Sequence, residues 1–140
     1  MAITQTVCTS FKKELLEGLH VFGSNSFKIA LYTDTANLNA DTTVYTTDNE
    51  VANGNGYSTA GVLLTTVPPS SGVGVGFVTF SNATWASSSF TARGALIYND
   101  TNGDRAVMVL DFGDNKTSNN STFTVAMPAS TASTALIRIT

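Results

Sequence analysis

The chain has 140 residues, the size of one ordinary domain, and 42% of them are hydrophobic. Only 12% are charged and the formal net charge is −3, which argues against a nucleic-acid-binding protein because such proteins present basic patches. No apolar stretch approaches the ~20 residues of a membrane span, and the scattered basic residues do not form the polybasic segment of a membrane-surface protein.

The polar surface must come mainly from uncharged residues, and Thr alone occurs 22 times. Thr suits a pleated, half-buried surface, while Asn, Ser and Gly suit turns, so the composition favours an all-β domain. Cys8 is the one cysteine and is predicted to be a small buried residue. The N-terminus lacks a basic region followed by an apolar run, so we expect no signal peptide and an intracellular chain.

The first predicted elements are an N-terminal arm and a helix, which together take up about residues 1–22. Residues 2–7 alternate loosely and predict a short strand or an extended arm. The helix is predicted over residues 9–20, capped by Thr9 or Ser10 and stopped by Gly23. Its apolar face consists of Phe11, Leu15, Leu16 and Leu19. Its opposite, charged face consists of Lys12, Lys13, Glu14 and Glu17.

Beyond the helix, the apolar period changes to the two-residue alternation of strands. Strands are predicted over residues 27–33, 57–67, 72–80, 92–99, 105–112, 121–128 and 135–140. Residues 34–56 are predicted to form a long polar loop with a short strand inside it. The sequence therefore predicts one mainly β domain over residues 1–140. We expect an antiparallel β-sandwich, jelly-roll-like or closed into a small barrel, with about seven strands and one N-terminal α-helix.

The stretch NDTNGDRAVMVLD, residues 99–111, has the spacing of a calcium-binding loop. Its candidate ligands are Asp100, Asn102, Asp104 and Asp111. Arg105, however, stands where a calcium loop needs glycine, and strands rather than helices flank the stretch. Because Asn102-Gly103 is a strong hairpin signal, we predict a turn without a metal or other cofactor. A loose calcium contact at a subunit junction stays open.

Other candidate sites have a structural interpretation that is stronger than the functional one. GVGVG at residues 72–76 predicts a strand with one bare face, which lets another backbone approach closely. Trp85 is interpreted first as a core-edge residue, with an interface anchor or a sugar-stacking platform as alternatives. His20 is expected to cap the helix or to be solvated. With a single histidine and no paired carboxylates, we do not expect an enzyme.

Several phrases occur together in one order: FKKELLEGLHVF, FKIALYTDTANLNADTTVY, NEVANGNGYSTAGVLL, and SFTARGALIYND with AVMVLDFG. In this order and spacing, from about Phe11 to Phe112, the chain resembles a family of small structural proteins from tailed bacteriophages. The resemblance implies a virion component without enzymatic activity. It leaves open whether that component is a capsid decoration (cement) protein or part of the tail, the baseplate or a tail fibre.

A decoration protein would bind the major capsid protein or neighbouring virion proteins, commonly as a homo-oligomer, with a trimer favoured. The resemblance implies synthesis in the bacterial cytoplasm and a place on the particle exterior, away from nucleic acid and membrane. The N-terminal arm and the loop 34–56 are the natural contacts, mobile until a partner orders them. The candidate interface residues are Ala2, Ile3, Thr4, Gln5, Thr6, Val44, Tyr45, Glu50, Tyr57 and Trp85.

A third interpretation is a carbohydrate-binding β-sandwich that attaches to a host surface. Such a module needs several exposed aromatic side chains clustered on one face. Trp85, Tyr45 and Tyr57 are the suggestive residues, and their proximity is not given by the sequence.

Overall fold

The computed structural model describes residues 2–140, and it is mainly β with antiparallel ladders and one short helix, consistent with the predicted β-sandwich-like fold. The elements in chain order are β1 (Thr6–Val7), α1 (Thr9–Leu16), β2 (Phe27–Tyr32), β3 (Val62–Leu63), β4 (Thr66–Gly72), β5 (Val75–Phe80), β6 (Ala83–Ser88), β7 (Thr91–Asn99), β8 (Arg105–Thr117), β9 (Ser121–Val125) and β10 (Ile137–Ile139). They form a five-stranded sheet β1-β8-β7-β2-β3, a three-stranded sheet β10-β5-β4 and a two-stranded sheet β6-β9. No helix among residues 2–140 is long and apolar enough to cross a membrane.

The core lies on both faces of the five-stranded sheet, whose central strands β2 and β7 are almost entirely buried. On one face, Phe27 stacks on Phe22 at 4.6 Å between ring centroids and contacts Phe80 of the three-stranded sheet at 5.8 Å. On the other face, Tyr98 stacks on Tyr45 of the long loop at 4.7 Å. Burial of each such side chain is worth about 1.5–3 kcal/mol, which explains why these strands are apolar on both sides.

The helix begins where it was predicted but ends at Leu16, four residues early. Gly18 follows with φ of 76°, the Leu19 N–H donates to the Glu14 carbonyl, and the Gly18 N–H donates to the Leu15 carbonyl. These two bonds form a Schellman stop, so the prediction that Gly23 ends the helix was wrong. The predicted cap was wrong too, because Cys8 takes the N-cap position without a side-chain bond.

The helix also faces the core with a different side from the one predicted. Phe11 is buried as expected, but Leu16 is 91% exposed and Glu14 is only 7% exposed. The early stop causes this difference: the chain turns back after Gly18 and brings His20 and Phe22 against Phe11. Those two rings occupy the space that a longer helix would have filled with its last turn. Cys8 is fully buried, as predicted.

Residues 57–67 were predicted to be one strand, and only Val62–Leu63 pairs with β2 there. A separate strand, β4, continues through Pro68 and Pro69, where the register with β5 shifts. β4 lies at the edge of its sheet, and edge strands with a bulge tolerate prolines because no ladder donor is needed there. The strand predicted over residues 72–80 is confirmed from Val75 onward as β5. Its start was wrong, because Gly72 ends β4 and the β4–β5 turn lies at Val73 and Gly74, with φ of 72° at Gly74.

Strand β6 was not predicted, because its segment ATWASS is rich in small polar residues. Its two large or apolar inward positions, Ala83 and Trp85, alternate as a strand requires and pair with Val125 and Phe123 of β9. The prediction failed because only these two inward positions are apolar. The register then shifts between Trp85 and Ser88, so the two-residue alternation is too short to be recognised in the sequence.

Candidate interaction surfaces

The N-terminal arm is part of the folded domain. Ile3 is buried, and the Thr4 N–H donates to the Leu38 carbonyl at 2.9 Å. Gly94 leaves the space that Ile3 fills, since a Cβ on Gly94 would lie 2.9 Å from the Ile3 side chain. The expectation of a mobile arm was therefore wrong: Ile3 is a core residue, Thr6 pairs with Val109, and the exposed candidates there are Ala2, Thr4 and Gln5.

The long loop of residues 34–56 is also anchored to the domain, and the carboxylate of Glu50 is the shared acceptor of the anchoring hydrogen bonds. The Glu50 carboxylate accepts hydrogen bonds from the Tyr45 hydroxyl at 2.6 Å, the Tyr57 hydroxyl, and the Ala60 N–H at 2.8 Å. Tyr57 also accepts a bond from the Leu31 N–H at 3.0 Å, so the loop is tied to β2. Glu50 and Tyr57 thus hold the loop on the sheet. Val44, which forms an isolated bridge with Arg105, remains exposed.

All four tyrosines of the chain surround this carboxylate, and the pKa of each is raised above its ordinary value. Burial is the largest cause for every one of them. For Tyr45 and Tyr57 the second cause is the hydrogen bond donated to Glu50, which favours the protonated phenol. The cluster consequently consists of neutral donors around one acceptor, an arrangement that anchors a loop.

Trp85 and Tyr57 were candidate interface residues, and the structure places both in the core, at 3% and 2% exposure. Trp85 packs edge-on against Phe90 and Phe123 and is stacked near Tyr57 at 6.3 Å between centroids. This confirms the core interpretation of Trp85 and removes both rings from any partner surface. The exposed aromatic face expected of a carbohydrate-binding module is therefore not formed by these residues.

His20 was expected at the surface, and it is instead 4% exposed and fully hydrogen-bonded. The Asn99 side-chain NH₂ donates to His20 Nδ1 at 3.0 Å, and His20 Nε2 lies 2.9 Å from Glu14 Oε1. The Asn99 amide is oriented by its oxygen, which accepts from the N–H groups of Thr101 and Asn102. His20 Nδ1 is therefore an acceptor, and Nε2–H donates to the Glu14 carboxylate.

Cys8 and His20 are not arranged as a thiolate and its base. His20 has both ring nitrogens engaged, and burial together with the nearby Glu14 charge raises the pKa of Cys8 to about 11. A thiol with so high a pKa is a weak source of thiolate at neutral pH.

Residues 100–104 form the predicted hairpin turn between β7 and β8, which pair from Asn99 and Arg105 outward. The positive φ values fall on Gly103 and Asp104 rather than on the predicted Asn102-Gly103 pair. Asn102 instead uses its side chain to donate to the Leu19 carbonyl at 2.8 Å. Among residues 2–140, no three His, Cys, Asp or Glu side chains are grouped as a metal site would require.

The hairpin of β4 and β5 projects from the sandwich. Residues 68–74 are all exposed, and Val73 at the tip is fully so. The chain carries no charged residue between positions 51 and 92, so this hairpin is an uncharged surface. A Cβ placed on Gly74 or Gly76 would meet nothing within 4 Å, whereas one on Gly72 would lie 2.8 Å from the Ala132 side chain. The hairpin is therefore open to another molecule at its tip and is covered by the chain itself at Gly72.

Two further concave surfaces share Leu136 in their lining. The edge cleft, about 530 Å³, lies between β8 and β9 and is lined along residues 121–128 by every successive residue. The helix groove, about 490 Å³, lies between α1 and β10 and includes Leu16 and Ile139. These two side chains are among the most exposed large apolar ones, at 91% and 58%.

No family model matches the chain, and neither a curated protein nor a solved structure is significantly similar to it.

Proposed function

We propose that this protein is a non-enzymatic structural component of a tailed phage particle, and specifically a decoration protein that binds and stabilises the major capsid shell. The resemblance of the sequence supports this proposal, and so does the character of the surface. A domain that fixes its own N-terminal arm and its long loop is rigid before it meets a partner. Its contacts would then be made by preformed surfaces rather than by segments that fold on binding.

The observation that carries the proposal is the uncharged, projecting β4–β5 hairpin. Exposed hairpins of monomeric proteins usually carry charges that prevent association. Here Pro68, Pro69 and the adjacent register shift block strand addition at the base of the hairpin, while the tip around Val73 stays uncharged and open. A surface of this kind suits packing against a neighbouring subunit, and many copies on a closed shell make a weak contact effective.

The first experiment is a measurement of the copy number of this chain in purified particles, by quantitative mass spectrometry against the major capsid protein. We expect a copy number comparable to that of the capsid protein, or one trimer for every few capsid subunits. A copy number far below that of the capsid protein would place the chain in the tail, the baseplate or a fibre. Absence from purified particles would overturn the virion proposal altogether.

A further inference from the structure

The basic residues of this acidic protein divide into two groups. Four of the seven are paired with carboxylates: Lys13 with Glu17, Lys28 with Asp100, Arg93 with Asp111 and Arg105 with Glu14. Within residues 2–140, the remaining three, Lys12, Lys116 and Arg138, form no salt bridge. Lys116 lines the edge cleft, and Lys12 and Arg138 line the helix groove. The cations without a carboxylate partner are thus gathered at two surfaces that share Leu136.

The edge cleft runs along a strand edge that has no partner. In the part of the chain that the structure describes, β9 pairs only with β6, and the turn of residues 118–120 joins it to β8 without a ladder between β8 and β9. Successive side chains of a strand point to opposite faces. A cleft that touches every residue from 121 to 128 must therefore follow the edge of β9, where backbone donors and acceptors are presented.

The floor of the two surfaces is apolar and continuous. In the edge cleft, Phe112 and Phe123 lie 6.2 Å apart between ring centroids. Leu136 leads from there into the helix groove, where Leu16 and Ile139 are exposed. Among the described residues that line either surface, none is an aspartate or a glutamate. The two surfaces together thus offer an open strand edge, an apolar floor and cations without a carboxylate partner. A molecule that binds there must match all three features.

We propose that the edge cleft and the helix groove form one binding site for an extended, acidic segment of a partner protein. The segment adds as a strand to the free edge of β9, which is the β-augmentation mode of peptide recognition. Its apolar side chains cover Leu136 and the neighbouring floor, and its carboxylates meet Lys116, Lys12 and Arg138. The inference stands on these surfaces alone and does not depend on the virion role.

Other occupants fit less well. A second copy bound through the same surface in a two-fold contact brings like cations towards each other across the axis, which is unfavourable. A nucleic acid would meet the same three cations, but the protein as a whole is acidic, and an apolar floor between the cations offers nothing to a phosphate backbone. An acidic polypeptide uses the charges, the floor and the strand edge together.

The test uses the full-length chain and a synthetic peptide of alternating valine and aspartate with capped ends. A peptide of about twelve residues spans the five-residue β9 and leaves enough chain to continue past Leu136 into the helix groove. Binding is followed by two-dimensional NMR, which detects weak complexes and locates them. We expect saturable shifts of the amide signals of residues 121–127 and of Leu136. Binding should be weaker for a matched peptide with asparagine in place of aspartate, and the difference should shrink as salt is raised.

Charge-reversal variants make the test specific. Lys116→Glu and the double variant Lys12→Glu with Arg138→Glu should each weaken binding of the acidic peptide by about five- to tenfold. Lys28→Glu makes the same change of charge outside the two surfaces and should leave binding within about twofold. Lys12, Lys116 and Arg138 are exposed, whereas Lys28 is half-buried beside Asp100. The NMR spectrum of each variant is therefore compared with that of the wild type, and only natively folded variants are used for binding.

Four outcomes would overturn the inference. They are equal binding of the acidic and the asparagine peptides, shifts that map away from β9, equal effects of Lys116→Glu and Lys28→Glu, and no shifts at millimolar peptide. Stronger binding of a single-stranded DNA oligonucleotide to the same residues would replace the polypeptide with a nucleic acid. Concentration-dependent shifts of the same amides without any peptide would identify a second copy of this chain as the occupant.

Discussion

The buried carboxylate of Glu14 holds three segments of the chain together. It accepts a hydrogen bond from His20 Nε2–H and a second, 2.9 Å long, from Arg105 at the start of β8. His20 in turn connects to Asn99 at the end of β7. Because a buried acceptor and donor are each costly to leave unpaired, this network fixes how the helix docks against the β7–β8 hairpin.

Removal of this carboxylate should destabilise the protein. We expect Glu14→Ala to lower the free energy of unfolding by about 2–3 kcal/mol, because the buried His20 Nε2–H is left without an acceptor. The matched control is Glu17→Ala at the C-cap of the helix, which removes an exposed pair with Lys13 and should cost less than about 0.5 kcal/mol. Urea denaturation measures both. Equal losses would show that the Glu14 network contributes nothing beyond helix propensity.

At the scale of single elements, the pairing of β3 with β2 depends on how closely the backbone at Gly61 approaches β2. Gly61 has φ of 80°, and a Cβ there would lie within bonding range of the Ile29 carbonyl on β2. The chain can therefore turn into β3 beside β2 only with glycine at this position. Gly74, at the tip of the projecting hairpin, has a similar φ of 72° but open space around it.

These two glycines give a matched pair of substitutions. Gly61→Ala should cost about 3 kcal/mol or more, since it combines left-handed backbone strain with an overlap that moves β2 or β3. Gly74→Ala should cost only the strain, about 1–2 kcal/mol. Thermal and urea unfolding of the two variants measure the difference. If both variants lose the same stability, the contact between residue 61 and β2 is looser than the structure shows.

The projecting hairpin allows stability and binding to be separated. Val73→Glu places a charge on a fully exposed residue and should change the free energy of unfolding by less than about 0.5 kcal/mol. If the hairpin contacts the shell, the buried charge should lower binding to particles that lack this protein by at least about tenfold. Val73→Thr, which keeps the branched shape without charge, is the control. Wild-type binding by Val73→Glu would exclude the hairpin tip from the contact.

How far the sequence predicts these elements depends on where their partners lie. Strands β2 and β7 carry their own apolar runs, and each was predicted within one residue of its observed bounds. Strand β8 begins at Arg105 as predicted but continues to Thr117, beyond its apolar run, where the prediction ended at residue 112. Strand β6 was missed because Trp85 faces aromatic residues from other parts of the chain. Glu14 was assigned to the surface because helical spacing shows which residues share a face, while its partners Arg105 and His20 are brought to it by tertiary structure.

At the scale of the whole molecule, the candidate surfaces were the least predictable feature. The helix groove joins Leu16 to Ile139, which stand at opposite ends of the chain, and the edge cleft exists because β8 and β9 diverge after a short turn. No local pattern carries that information. The predicted arm and loop contacts instead became internal ones, because Ile3, Leu38 and Val51 supply apolar groups that the sheet buries.

The loop and the sheet are held as one unit by the four tyrosines, and this predicts the response to alkaline pH. The pKa of each tyrosine is raised in the folded protein, mainly by burial, whereas in the unfolded chain it is about 10. A raised pKa means that the folded state keeps protons that the unfolded state loses. The contribution of the four tyrosines to the free energy of unfolding is fully present below about pH 10 and decreases as the pH rises further.

We therefore expect tyrosinate absorbance to appear together with unfolding above about pH 10, in one cooperative transition followed by circular dichroism and near-ultraviolet absorbance. Tyr45→Phe removes one of the four ionising groups, so the fall in stability with pH should be less steep in that variant than in the wild type. Four tyrosines that titrate near pH 10 while the circular dichroism stays native would contradict the buried cluster. Such a result would mean that the long loop lifts off the sheet without global unfolding, and that Glu50 does not anchor it.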